Sequence, residues 1–160
     1  MSLLLAAGAL SACTSTGPPE SQGGAAATSS PAASPSAAGH WTEVFEGEFV
    51  SQAVTTRGRA VLTVTPAKVE LRLANFSTGA GGNLYVHLNP GKLGPDDAGQ
   101  IGPASSQSFV VAPLKARRGA QSYDLTPMWK GLPEVQSVTI YQYSARARRA
   151  YGTANLVRRY

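Results

Sequence analysis

Residues 59–73 read Arg59-Ala60-Val61-Leu62-Thr63-Val64-Thr65-Pro66-Ala67-Lys68-Val69-Glu70-Leu71-Arg72-Leu73, and their reading decides the fold. Ala60, Leu62 and Val64 alternate with Arg59, Val61 and Thr63; Val69, Leu71 and Leu73 alternate with Lys68, Glu70 and Arg72. A period of two places both apolar sets on one face of extended chain. Thr65-Pro66-Ala67 between them has a proline where a turn suits its fixed φ, so the stretch predicts a β-hairpin with one face in the core.

The same alternation recurs outward along the chain. Leu84, Val86 and Leu88 alternate with Tyr85 and His87, and Val138 and Ile140 alternate with Thr139 and Tyr141. Shorter strands are expected at Glu43 to Val50, Ser108 to Val111, Gln121 to Leu125 and Ala150 to Val157. Glycine and proline clusters at Gly79 to Gly82 and Thr126 to Pro133 separate them, and Pro90 to Gln107 is expected to be a long surface loop. No window carries a sustained helical stripe. The expected fold class is all-β, an antiparallel β-sandwich or barrel-like single domain over residues 40–160.

The front third differs in kind. Leu3 to Leu10 is an apolar run of the length of a secretory signal's hydrophobic part, well short of the roughly 20 residues that a spanning helix needs. Only Met1 and Ser2 precede it, without the basic residue that usually opens such signals. It ends Leu10-Ser11-Ala12-Cys13, on the only cysteine of the 160 residues. This pattern resembles the lipobox of bacterial lipoproteins, which implies cleavage after residue 12 and a diacylglycerol on the Cys13 thiol. Each buried methylene of an acyl chain contributes about 0.8 kcal/mol, so two or three chains hold a domain on a membrane where one would not. The expected address is therefore exported and lipid-anchored, on the outer face of the cell membrane or in the periplasm. Residues 14–39 contain no aliphatic side chain larger than Ala and no aromatic. They cannot bury enough surface to offset their ordering entropy and are expected to be a disordered tether, about 25 to 30 Å between its ends as a flexible coil.

The chain carries a formal +5, and from His40 onward it holds all fourteen basic residues and eight of the nine acids, a net +6. That charge favours anionic partners, an envelope protein or an anionic polymer, beside the membrane lipid reached through Cys13; nucleic acid is not among the expected partners. With Cys13 committed to lipid, the domain has no thiol for disulfides, thiolate metal ligation or nucleophilic catalysis.

Several ordered motifs carry a further reading: Phe45-Glu46-Gly47-Glu48-Phe49, Gly58-Arg59-Ala60, Leu71-Arg72-Leu73-Ala74-Asn75-Phe76, Leu114-Lys115, Gly119-Ala120-Gln121-Ser122-Tyr123-Asp124-Leu125, Ser137-Val138-Thr139-Ile140-Tyr141 and Gly152-Thr153-Ala154-Asn155-Leu156. In this order and spacing, over about residues 43–157, the chain resembles the DM-thirteen domain family. The resemblance implies a compact all-β module that occurs beside heme-binding and b-type cytochrome domains and alone in bacterial lipoproteins. It also implies a proposed role in electron transfer, resting on a cysteine that follows the Ser-Val-x-Ile-(Trp/Tyr) motif. Here that position is Gln142. By alternation Gln142 shares the inward face with Val138 and Ile140, so its amide needs hydrogen-bond partners or a place at the strand's end near solvent.

The remaining candidates are weighed on chemistry. His87 is expected to be an exposed cross-strand partner of Lys or Glu, and His87 with the distant His40 makes no metal site. Asp96-Asp97 are two adjacent acids without the spaced oxygen ligands of a calcium loop. Asn75-Phe76-Ser77 fits a glycosylation acceptor but is read as a turn. Glu43, Glu46 and Glu48 are close in sequence without the divergent environments of an acid and base, and no nucleophile elbow or phosphate-cradling glycine loop is present. No catalytic residue, metal or cofactor is assigned. Arg146, Arg148 and Arg149, with Arg158 and Arg159, are the densest charge feature. If the last two strands are neighbours they form one basic edge, either binding phosphate or carboxylate groups or guarding an edge strand from aggregation. Tyr141 and Tyr143 beside them are expected to point outward, as a contact platform or as cross-strand packing.

Overall fold

The computed structural model describes residues 39–95, 101–103, 106–145 and 147–160. The strands are β1 (Glu43–Ser51), β2 (Thr56–Val64), β3 (Val69–Thr78), β4 (Leu84–Asn89), β5 (Leu93–Pro95), β6 (Ile101–Pro103), β7 (Phe109–Pro113), β8 (Arg118–Asp124), β9 (Ser137–Tyr143), β10 (Arg148–Asn155) and β11 (Val157–Arg159). One antiparallel sheet runs β7-β4-β9-β10-β1-β2-β3-β8, with β11 also on β1, and β5 pairs with β6. The all-β architecture read from the alternation is the one observed. The sheet coils until its end strands β7 and β8, consecutive in the chain, approach closure without pairing with each other.

The β2–β3 hairpin is in the register that the opening stretch requires, with Leu62 opposite Leu71 and Val64 opposite Val69. Thr65 closes it: its hydroxyl donates to the Lys68 carbonyl at 2.8 Å and accepts the Lys68 N–H at 2.9 Å. Ala60, Leu62, Leu71 and Leu73 are sealed from solvent and meet Val86, Leu88, Val138 and Ile140 from the other half of the sheet. Together they form the core.

β1 joins the halves. Its first residues pair with β2 and β11, and its last with β10. The change of partner happens at Gly47, where an added Cβ would stand 1.9 Å from the Asn155 carbonyl oxygen, so only glycine lets the strands cross so closely. A second local feature is the bulge between Gly58 (φ 111) and Asn75 (φ 50). The reading of Asn75-Phe76-Ser77 as a turn is corrected here: these residues lie inside β3, and the bulge turns Phe76 into the core, edge-on to Phe49 with ring centroids 5.3 Å apart.

Three other stretches differ from expectation. The stretch from Pro90 to Gln107 is not plain loop, since it holds the β5–β6 hairpin, which Asn155 clamps: its Oδ1 accepts the Leu93 N–H at 2.6 Å and its Nδ2 donates to the Leu93 carbonyl at 2.9 Å. The segment after Thr126 contains one helical turn, α1 (Thr126–Trp129), with Pro127 in the first turn, where its missing N–H costs nothing. The single strand expected over Ala150 to Val157 divides at Leu156, whose N–H turns aside to the Gln136 carbonyl.

Candidate functional site

The site grows from the outer face of the β4-β9-β10 half-sheet. Alternation places Tyr85, His87 and Asn89 on that face of β4, opposite Tyr141, Thr139 and Ser137 of β9. An antiparallel sheet commonly gives such a face to water. Here His87, Asn89, Ser137, Thr139 and Thr153 are all at most 1% exposed. The expectation of an exposed His87 paired with Lys or Glu is therefore corrected.

Its buried polar atoms are connected in one direction. Thr153 donates to Gln52 Oε1 at 2.7 Å, so the Thr139 hydroxyl, 2.7 Å away, donates to Thr153 and accepts from Asn89 Nδ2 at 2.9 Å. Ser137 donates to the Gly91 carbonyl at 2.6 Å and accepts the other Asn89 N–H at 3.2 Å. With both amide hydrogens committed, Asn89 Oδ1 is left buried without a partner among the described residues.

Next along the face lies an aromatic cluster. The His87 ring stacks on Tyr143 with centroids 5.6 Å apart and meets Tyr141 edge-on at 4.9 Å; Tyr85 meets Tyr143 edge-on at 5.3 Å. His87 Nε2 is 3.0 Å from the Tyr143 hydroxyl and Nδ1 is 3.2 Å from Ser108 Oγ. Arg148 reaches across Tyr141, its guanidinium carbon 4.3 Å from the ring centroid, and donates to Ser108 Oγ. Both ring nitrogens are thus engaged, one as donor and the other as acceptor in the neutral imidazole. Burial, and then the Arg148 charge, lower the His87 pKa from 6.5 to about 4, so the imidazole is neutral near pH 7. Burial also raises the pKa of Tyr141, against the opposing pull of Arg148. Tyr141 is thus buried under Arg148 instead of pointing into solvent, and only Tyr143 and Tyr85 reach an open groove of about 410 Å³, lined with Asn83 and Val110.

The arginines do not form one edge. Arg148 and Arg149 begin β10, opposite Tyr143 and Gln142, whereas Arg158 and Arg159 lie beyond its far end on β11, where they pair with Glu43 and Glu46. Glu46 and Glu48 also hold Arg59, so this carboxylate group is an ion-pair lattice. Gln142 is half-buried at the end of β9, opposite Leu84. Cys13, Asp96, Asp97 and Arg146 lie outside the described residues. Among the described residues no three His, Cys, Asp or Glu side chains gather as a metal site.

A family model described as Electron transfer DM13 matches residues 48–156, more than half of the chain. The chain belongs to the DM13 electron-transfer family. No curated protein and no solved structure matches it. The DM13 match spans every strand of the cluster, from β4 through β10, and so takes in the groove, the buried polar chain and Gln142. Sequence reasoning missed Ser108, Asn89, Thr139 and Thr153. For Asn89 and Thr139 the available signal was the run of polar side chains at every second position of β4 and β9, on the face opposite the leucines; Ser108 and Thr153 lie outside that run.

Proposed function

We propose that this DM13 chain is a lipid-anchored, exported contact module, whose Cys13 takes the acyl anchor and whose groove between Tyr85 and Tyr143 receives a partner protein. One observation carries the reading: an open aromatic groove stands on a domain whose chain has no cysteine after Cys13, with Gln142 where the resemblance places a redox thiol. Such a domain has nothing to cycle between thiol and disulfide, while two tyrosines beside an exposed valine are side chains of the kind that anchor interfaces. Its work is recognition, not covalent catalysis. The match to an electron-transfer family favours a second, narrower reading, in which the docked partner is a membrane redox protein and this chain is its accessory.

The test has two arms. Cys13→Ala moves the protein from the membrane to the soluble exported fraction; equal partition of both proteins counts against the anchor. A photo-crosslinking residue at Val110 captures one discrete membrane neighbour, and the same residue at Val50, an exposed strand position outside the groove, does not. Equal capture from both positions refutes the groove as the contact surface.

A further inference from the structure

Among the exposed features, the seam between the end strands β7 and β8 combines three things on one line. First, among the described residues β7 pairs only with β4, so its outer edge presents main-chain N–H and C=O groups that no described strand covers. Such an edge is a template for another chain. Second, the groove opens at Val110, the second residue of β7, which is 49% exposed. Third, the Arg148 guanidinium is fixed at Ser108, immediately before β7, by its hydrogen bond and by the Tyr141 ring beneath it. Ser108 and Val110 are two residues apart, the spacing at which an extended chain repeats its side-chain direction, about 6.6 Å.

Apart from Asp124 at the end of β8, which accepts from Thr126, the described charges on β7, β8 and their connection are positive. Lys115, Arg117 and Arg118 are exposed on the β7–β8 connection and at the start of β8. β4, β7, β9 and β10 contain no Asp or Glu. Among the described residues, Glu43, Glu46, Glu48 and Glu70 are engaged with Arg158, Arg159, Arg59 and Lys68 on the other half of the sheet, and no carboxylate pairs with Arg148, Lys115, Arg117 or Arg118. A second copy of this chain would bring the same positive seam against itself.

We infer that β7 is a strand-addition site for an acidic extended segment of a partner protein, with an aromatic or large apolar side chain in the Tyr85–Tyr143 groove and a carboxylate two residues away on Arg148. The main chain supplies affinity along the edge, and the two side chains set the register. This rests on the groove reading of the preceding subsection and gives its partner a chemistry.

The experiment uses the full chain carrying Cys13→Ala and a capped heptapeptide, Thr-Asp-Thr-Phe-Thr-Asp-Thr, followed by backbone and aromatic NMR shifts. Its two twins replace Asp with Asn, or carry N-methyl groups on alternate amides. The expected result is saturable shifts at Phe109 to Ala112 and at the Tyr85 and Tyr143 rings, with binding at least about tenfold weaker for either twin and weaker in high salt. Arg148→Gln lowers affinity several-fold, whereas Arg158→Gln, on the far side of the sheet, does not. Equal binding of the Asn twin removes the acidic requirement, and equal binding of the N-methyl twin removes strand addition; both overturn the inference and leave the groove as a contact surface. Shifts confined to other strands, absence of binding, or peptide-free dimerisation through β7 overturn it as well. Photo-crosslinking from Val110 then still reports separately on the groove.

Discussion

The Tyr143 hydroxyl lies 3.0 Å from His87 Nε2, and the two rings stack with centroids 5.6 Å apart, so the rim of the groove and the buried imidazole are a single unit. The outward face of the groove therefore depends on a group that is itself sealed from water.

That dependence makes stability sensitive to acid. The His87 pKa falls from 6.5 to about 4 through burial first and Arg148 second. Between those values the unfolded chain binds more protons than the folded one, so the contribution is intact above about pH 6.5, is lost as pH falls toward 4, and changes no further below it. A shift of this size corresponds to roughly 3 kcal/mol. Urea unfolding at pH 7, 5.5 and 4.5 is expected to show this loss, and His87→Gln to remove most of it. An unchanged pH profile in the variant means that other groups carry the acid sensitivity.

Thr139→Val keeps the shape and removes the hydroxyl at the middle of the buried polar chain. One Asn89 N–H then loses its acceptor and Thr153 Oγ1 loses its donor. The expected cost is about 1 to 3 kcal/mol, read from denaturant midpoints. Thr153→Val strands the buried Thr139 O–H in the same way, while the Gln52 group it also frees is only half-buried and can turn to water, so a loss of the same order is expected. A neutral effect of either substitution would contradict the buried chain.

Gly47→Ala places a methyl group 1.9 Å from a backbone oxygen that cannot move without separating β1 from β10. A loss of about 3 kcal/mol or more, or failure to fold, is expected in thermal melts. Gly82→Ala is the control, because nothing lies within 4 Å of its added carbon.

Gln142→Cys restores a thiol at the position where the resemblance places one. The side chain is half-buried at a strand end, so the variant is expected to fold within about 1 kcal/mol of the parent. In the Cys13→Ala background its thiol should react with a water-soluble disulfide reagent in the native state, while the parent shows no thiol at any potential. An unreactive thiol would place position 142 deeper than the half-buried strand end.

The hairpin from Arg59 to Leu73 needed nothing but its own alternation, because a period of two with a Pro-containing turn specifies local geometry and one buried face together. The same holds for Leu84, Val86 and Leu88 and for Val138 and Ile140, whose burial against that hairpin follows from their being the large apolar residues available. The missing thiol is likewise a property of composition alone. The fate of the opposite face is not local. Tyr141 and His87 are polar-edged residues on strands whose outer side would ordinarily be wet, and they are buried because Arg148 crosses from β10 and Ser108 approaches from before β7. Asn89, Ser137, Thr139 and Thr153 join in the same way across β4, β9 and β10, with Gln52 meeting Thr153 from 101 residues away in the chain. The separation of Arg148 from Arg158, adjacent as they seem in a basic tail, arises because one nearly continuous length of extended chain carries them to opposite ends of the sheet. Alternation states which side chains share a face; only long-range strand order decides what covers that face, since the covering groups are far apart along the chain and meet only when the sheet coils.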